Sequence, residues 1–120
     1  MRNLAPDIVR QRLMIEAFYD KSGTKQLVKD YLLELAAKLD LRVYGEPVIF
    51  EPASGMGKDE NAGFDAFVPL IDSGISAYFW NGPKFLSVVI YTCKSFDQDK
   101  AVEVTKEFWQ IPGEIETMAF

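Results

Sequence analysis

Any chemistry carried out by this chain must use carboxylates, tyrosine, lysine or a single thiol, because its 120 residues include no histidine. A Ser-His-Asp triad, a Cys-His pair and a zinc site with histidine ligands are therefore excluded. The one cysteine, Cys93, leaves no intrachain disulfide and no four-cysteine metal site, so no metal is expected. Apart from the carboxylates, the candidates for catalysis are Tyr78, Lys84, Lys94 and Cys93.

Acidic and aromatic side chains in the sequence favour a small, positively charged ligand. Carboxylates attract a cation by charge, and the faces of aromatic rings attract one through cation–π interactions. The residues that could line such a site are the acidic Glu16, Asp65 and Asp72 and the aromatic Phe64, Tyr78 and Trp80.

Several candidate residues also have an interpretation that involves no chemistry. Ser73 lies in a turn sequence, and on its own it is an ordinary turn serine. Cys93 at the end of a strand is by default a small buried hydrophobe. Glu16, between apolar neighbours on its own strand face, can be an edge or interface residue, and Asp65 can be the polar residue that opens a strand.

The composition indicates one domain that covers residues 1–120, with 48% hydrophobic residues and a net charge of −5. No block of basic residues stands out, which argues against a nucleic-acid partner. No apolar run approaches the roughly 20 residues of a membrane-spanning helix, and the N-terminus lacks the apolar core of a signal peptide. With a single cysteine, we expect a cytoplasmic protein without membrane contact.

Hydrophobic periodicity predicts the elements that position these residues. Apolar residues recur every three or four positions over residues 25–39 after the N-cap candidate Thr24, and a similar pattern over 98–109 follows Asp97. Two helices are therefore predicted. Alternation and β-branched or aromatic composition predict strands over residues 12–19, 41–51, 64–71, 75–80, 84–92 and 114–120, with a glycine-containing loop over 52–63.

The predicted order β-α-β-β-β-β-α-β indicates an α+β fold, a two-layer sandwich. Most strands are joined by hairpins, which favours an antiparallel sheet, and both helices can then cover one face of that sheet. The other face is left for a partner, so we expect an oligomer.

Residues 72–109 resemble the short prokaryotic form of S-adenosylmethionine decarboxylase. The family pattern runs Glu-Ser-His-x-Ser/Thr-x-His-Thr-Trp-Pro-Glu and later Phe-Thr-Cys-Gly. Aligned on Ser73, the pattern agrees with this chain at Trp80, Thr92 and Cys93 without a gap. The order of strands and helices extends the resemblance to about residues 12–110.

The resemblance implies a cofactor that the protein makes from its own chain. Members of the family cut themselves before a serine whose hydroxyl attacks the preceding carbonyl, and elimination then leaves a pyruvoyl group. That ketone is an electron sink for loss of CO₂ from the substrate, and a cysteine donates a proton afterwards. By resemblance, Asp72-Ser73 is the cleavage site, Ser73 is the pyruvoyl precursor and Cys93 is the acid. The family is generally dimeric, which implies a homodimer.

Four family positions differ in this chain. The histidine after the serine is Gly74, and the second histidine, which assists elimination, is Tyr78. A serine that aids processing falls on Asp65, and the glutamate before the cut is Asp72. A tyrosine in the catalytic position of a histidine is a poor base, because its ordinary pKa is about 10 against about 6.5 for histidine. Self-processing at Asp72-Ser73 is therefore doubtful.

Three functions stay open at the level of the sequence. The first is a divergent pyruvoyl-dependent decarboxylase related to polyamine (spermidine) biosynthesis. The second is a non-catalytic protein that binds S-adenosylmethionine or a polyamine, or that activates an active paralogue in a heterodimer. The third is a different enzyme on the same scaffold that works without pyruvoyl.

Overall fold

The protein, analysed as a computed structural model that describes residues 1–51 and 62–120, contains one six-stranded antiparallel sheet and two helices. The strands are β1 (Gln11–Phe18), β2 (Val48–Phe50), β3 (Gly63–Leu70), β4 (Ser73–Trp80), β5 (Phe85–Thr92) and β6 (Ile115–Ala119), and the helices are α1 (Lys25–Lys38) and α2 (Gln98–Trp109). In space the strands follow the order β2-β3-β4-β5-β1-β6. The N-terminal strand therefore lies between two strands from the second half of the chain.

Both helices cover one face of the sheet, and the core lies between the two layers. Successive strand residues point to opposite faces, so Leu13 and Ile15 of β1 are buried under the helices together with Val88 of β5. The indole of Trp109 in α2 is fully buried, and its ring centroid lies 4.9 Å from that of Phe79 in β4. The predicted α+β two-layer sandwich is confirmed.

Both predicted helices are confirmed to within one residue, because local signals fix their ends. The Thr24 hydroxyl accepts a hydrogen bond from the amide of Leu27 at 3.1 Å, and the Asp97 carboxylate accepts one from the amide of Lys100 at 3.1 Å. Helix α2 ends where Gln110 adopts a left-handed backbone with φ of 54°. Within residues 1–51 and 62–120, no helix has the length and apolar character that crossing a membrane requires.

A buried hydrogen bond joins the two helices. The hydroxyls of Tyr31 in α1 and Thr105 in α2 are 2.7 Å apart. Thr105 donates its own proton to the carbonyl of Ala101 at 2.8 Å, so the Tyr31 hydroxyl is the donor between the helices. Burial raises the pKa of Tyr31 above its ordinary value, because the charged phenolate would lose its hydration.

The strand predicted over residues 41–51 is shorter than expected. Only Val48–Phe50 joins the sheet as β2, because Gly45 and Pro47 interrupt the segment before it. Val43 makes a single bridge to Leu70. Most of the loop predicted over 52–63 lies outside the described residues, and its last residue, Gly63, belongs to β3.

The turn predicted at Asp72-Ser73-Gly74 is tighter than expected. Strand β4 begins at Ser73, whose Cα partner on β3 is Leu70, so the hairpin turns on Ile71 and Asp72 alone. The predicted cleavage site therefore lies where the turn enters β4.

The second face of the sheet carries no helix, and we call it the open face. Its side chains come from the even-numbered positions of β1, β2, β4 and β6 and the odd-numbered positions of β3 and β5. Many large apolar side chains on it are exposed in the single chain, namely Phe18, Val48, Phe50, Phe67, Tyr78, Tyr91, Met118 and Phe120. Apolar patches of this kind are typical of surfaces that bind a partner.

Candidate functional site

Ser73 and Cys93 lie beside each other at one end of the sheet. Ser73 is the Cα partner of Thr92, the residue before Cys93. The amide of Cys93 donates a hydrogen bond of 2.9 Å to the carbonyl oxygen of Asp72. This carbonyl belongs to the peptide bond before Ser73, and the Cys93 residue is exposed to solvent. The residues that carry a hydroxyl and a thiol are therefore neighbours, and the carbonyl before Ser73 accepts a hydrogen bond from the Cys93 backbone.

Ser73 has a backbone conformation that favours glycine. Its φ of 132° lies in a region that residues with a side chain rarely adopt, at a cost of about 1–3 kcal/mol. Ladder pairing on both sides holds this conformation, since Leu70 and Thr92 are its partners on the neighbouring strands. Ser73 is therefore a strained residue held between two strands.

Asp72 is held by the chain that leads into β2. One oxygen of its carboxylate lies 3.5 Å from the guanidinium of Arg42, and the amide of Ile71 donates to the Arg42 carbonyl at 2.9 Å. The Asp72 side chain is only 13% exposed, and its other oxygen has no hydrogen-bond partner within residues 1–51 and 62–120. Arg42 therefore contacts both the side chain of Asp72 and the backbone of the turn.

Contacts on each side of Cys93 fix the bend after β5. The hydroxyl of the fully buried Thr92 donates to the carbonyl of Lys94 at 2.5 Å. The Lys94 ammonium group in turn donates to the carbonyl of Asp40 at 2.8 Å. Cys93 is thus presented at a defined position next to the turn that contains Asp72.

The ring of Phe67 covers Gly74, the second residue of β4. A Cβ atom on Gly74 would lie 2.5 Å from Cε1 of Phe67 and 2.7 Å from Cζ of the same ring. Contacts this short do not occur between real atoms, so a side chain at position 74 would require the ring to move. The space next to position 74 is occupied by an aromatic ring.

A line of polar side chains crosses the open face from strand to strand, and we call it the polar row. The ladder registers pair Asp65 with Tyr78, Tyr78 with Ser87, Ser87 with Glu16 and Glu16 with Glu116. Neighbouring strands lie about 4.8 Å apart, so the row brings together residues from five strands. The Ser87 hydroxyl donates to a carboxylate oxygen of Glu16 at 2.8 Å.

Three rings lie next to the polar row, and we call them the aromatic row. The Phe85 ring centroid is 5.5 Å from that of Trp80 and 5.2 Å from that of Phe18. A cleft of about 410 Å³ lies where the two rows meet at the β1–β6 side of the sheet. Its lining combines two rings with three carboxylates: Glu16, Ala17, Phe18, Phe85, Glu114 and Glu116. Rings and carboxylates together suit a cation that carries apolar groups.

The predicted site residues therefore fall into two groups. Ser73, Cys93 and Asp72 lie together at the turn. A second group consists of Glu16, Asp65, Tyr78 and Trp80, which all lie on the open face.

The structure does not support the predicted roles of two residues, the ligand-binding Phe64 and the catalytic Tyr78. Phe64 belongs to the core and is 3% exposed, because it precedes Asp65 on the same strand and points to the opposite face. Tyr78 is five residues along β4 from Ser73, a separation of about 16 Å at about 3.3 Å per residue. Within one chain, Tyr78 therefore does not contact Ser73.

Sequence reasoning did not identify Arg42, Ser87, Phe18, Phe85 or Glu116 as parts of these sites. The alternation of β1 placed Phe18 on the same face as Glu16, which was an available signal. The other residues depend on which strands are neighbours, and no local pattern contains that information.

Comparisons with known proteins agree with this architecture. The chain has the same fold as the crystal structure of the adenosylmethionine decarboxylase from Aquifex aeolicus VF5, with a TM-score of 0.73 and 16% sequence identity. That match covers 94% of this chain and 89% of the Aquifex chain. No curated protein matches the sequence. The family model for S-adenosylmethionine decarboxylase matches residues 14–117, and because it spans most of the sequence, the chain belongs to the S-adenosylmethionine decarboxylase family.

Proposed function

We propose that this protein is a divergent S-adenosylmethionine decarboxylase-like protein of polyamine (spermidine) biosynthesis in the cytoplasm, with inefficient self-processing at Asp72-Ser73. The observation that carries the proposal is the hydrogen bond from the Cys93 amide to the Asp72 carbonyl, next to the strained backbone of Ser73. Family membership supports the same reaction.

The residues at the turn suit the first step of processing. The Ser73 hydroxyl would add to the Asp72 carbonyl carbon, and the peptide C–N bond would break to leave an ester. The developing negative charge falls on the Asp72 oxygen, towards which the Cys93 amide already donates. Cleavage would also release the unfavourable φ of Ser73.

The residues also fit a pyruvoyl group at position 73. That group would supply the electron sink for loss of CO₂ from the substrate. Cys93, which follows the Cα partner of Ser73 and is exposed, would be the proton donor after loss of CO₂.

Inefficient processing follows from the missing base. The sequence has no imidazole, and Tyr78 is about 16 Å along β4 from Ser73 in one chain. A role for Tyr78 at Ser73 would therefore need a second copy of the chain. Asp65, the Cα partner of Tyr78, lies equally far from the turn.

Intact-mass measurement of protein purified from its native host tests the proposal. We expect uncut chain of 13.6 kDa together with the two fragments that cleavage between Asp72 and Ser73 produces. The Ser73→Ala variant should give no fragments. Complete cleavage would contradict inefficient processing. If only uncut chain is found, the decarboxylase function is contradicted and the non-catalytic binding function described next remains.

A second candidate function is non-catalytic binding of S-adenosylmethionine or a polyamine. The cleft at the junction of the polar and aromatic rows favours it, since three glutamates and two phenylalanine rings line it. Titration calorimetry with each compound tests it. Heat from uncut protein supports a binding role, and no heat from either compound contradicts it.

We also propose that the open face binds a second copy of this chain or an active paralogue. Its exposed apolar side chains support a protein partner, because a monomer would leave them in water. In a heterodimer this chain would activate the paralogue, and co-purification from the native host would identify it.

A further inference from the structure

Ser87 sits at the centre of the polar row and contacts a residue of the proposed ligand cleft. It is 9% exposed on β5, and its Cα partners are Tyr78 on one side and Glu16 on the other. Its hydroxyl donates to Oε2 of Glu16 at 2.8 Å. A hydroxyl has one proton, so this contact uses the whole donor capacity of the side chain.

The hydrogen bond from Ser87 counteracts the effect of Glu116, the second neighbour of Glu16. Its Cα partner on β6 is Glu116, and carboxylates directly opposite each other on a sheet repel. Without an anchor, repulsion and rotamer freedom would spread the Glu16 carboxylate over several positions. The hydrogen bond from Ser87 holds it on the β5 side.

The Glu16 carboxylate, which accepts the hydrogen bond from Ser87, lies beside the aromatic row. Phe18 follows Glu16 by two residues on the same face of β1, and Phe85 precedes Ser87 by two on β5. A cation over these rings would therefore meet a carboxylate whose position is already fixed. Fixing a charged group before binding lowers the entropy cost of association.

We propose that Ser87 is a positioning residue for cation binding, which orients the Glu16 carboxylate towards a ligand over Phe18 and Phe85. The inference rests on the proposed function in one respect, namely that the cleft binds a cationic nucleoside or a polyamine. It adds a residue whose contribution acts through Glu16 rather than through direct contact with the ligand.

A double-mutant cycle tests this role. Binding of S-adenosylmethionine and of spermidine is measured by titration calorimetry for the wild-type protein, Ser87→Ala, Glu16→Ala and the double variant. We expect Ser87→Ala to weaken binding about tenfold in the wild-type background and less than about twofold in the Glu16→Ala background. Ser87→Thr keeps the hydroxyl and should restore binding. Ser76→Ala, on the same face one row away, is the matched control.

Each outcome decides a different point. An equal loss in both backgrounds would show that Ser87 acts by packing and would overturn the inference, as would unchanged binding in Ser87→Ala. Absence of binding by the wild-type protein to both compounds would overturn the proposed cation binding and this inference together. Thermal unfolding of every variant shows whether the fold is kept.

Discussion

The amide of Cys93 and the carbonyl of Asp72 are joined by a hydrogen bond of 2.9 Å across the end of the β4–β5 ladder. The bond links the residue that carries the thiol to the peptide group that the Ser73 hydroxyl would attack. The sheet therefore brings together two residues that are 21 positions apart in the sequence. The residue after this carbonyl, Ser73, has the unfavourable φ of 132°.

Replacing Ser73 with glycine should stabilise the protein. Glycine adopts a φ of 132° without strain, and the midpoint of the relief, about 2 kcal/mol, exceeds the entropy cost of a glycine, about 0.5–1 kcal/mol. We expect a net gain of about 1 kcal/mol and a rise in Tm of about 4 °C, measured by thermal unfolding of uncut protein. Ser73→Ala keeps the strain and is the control. A lower Tm for the glycine variant would refute the strain argument.

Gly74 and Phe67 should show strong coupling in stability. Gly74→Ala should cost about 1–3 kcal/mol, because its Cβ would overlap the Phe67 ring. In a Phe67→Ala background the same substitution should cost much less. Urea unfolding of the four proteins gives the coupling energy. If the two substitutions change the free energy of unfolding additively to within about 0.5 kcal/mol, the Phe67 ring moves away freely and the predicted coupling is contradicted.

A charge on the open face should prevent association. We expect the wild-type protein to have twice the chain mass of 13.6 kDa in light scattering after size exclusion. Tyr91→Glu should give a monomer, because a carboxylate buried in an apolar interface loses its hydration. The fold should survive, since the new carboxylate would face its Cα partner Arg12.

A control variant separates the open face from the rest of the surface. Ala37→Glu adds the same charge on the exposed side of α1, in the opposite layer, and should leave the mass unchanged. A monomeric wild-type protein, or dimers of Tyr91→Glu, would contradict the proposed interface.

Alkaline pH should destabilise the protein through Tyr31. Its folded-state pKa is raised by burial, whereas the unfolded chain ionises near the ordinary value of about 10. The stabilisation is therefore present in full below about pH 10 and is lost as the pH rises above it, at up to about 1.4 kcal/mol per pH unit.

Tyr31→Phe removes this titration and also the hydrogen bond to Thr105. The variant should be about 1 kcal/mol less stable at neutral pH and should lose less stability between pH 10 and 11.5. Urea unfolding across that range measures both effects. Burial also raises the pKa of Tyr19, which destabilises the folded protein at alkaline pH in the same way and is present in both proteins. Equal pH slopes for the two proteins would contradict the assignment to Tyr31.

Local signals in the sequence were enough for the helices and for most strands. The N-caps Thr24 and Asp97 and the helical periodicity fix both helices, since each signal acts within a few residues. The segment 41–51 was harder, because Gly45 and Pro47 interrupt an otherwise strand-like composition. Alternation also placed Glu16 and Phe18 on one strand face.

The candidate site could be predicted only where the family spacing supplied a long-range relation. That spacing brought Ser73 and Cys93 together in advance of the structure, although nothing local joins them. The contact between Glu16 and Ser87 spans 71 residues and depends on β1 being inserted beside β5. Pairing order of this kind is decided by the whole sheet, so the polar row was not accessible from the sequence.

The insertion of β1 between β5 and β6 also determines how a cut at Asp72-Ser73 would behave. The piece ending at Asp72 would keep β1 and β3, and the piece starting at Ser73 would keep β4, β5 and β6. Three ladders (β3–β4, β5–β1 and β1–β6) would then bind one piece to the other. The nicked protein would stay interleaved and elute like the whole chain, so only denaturing separation would reveal the break.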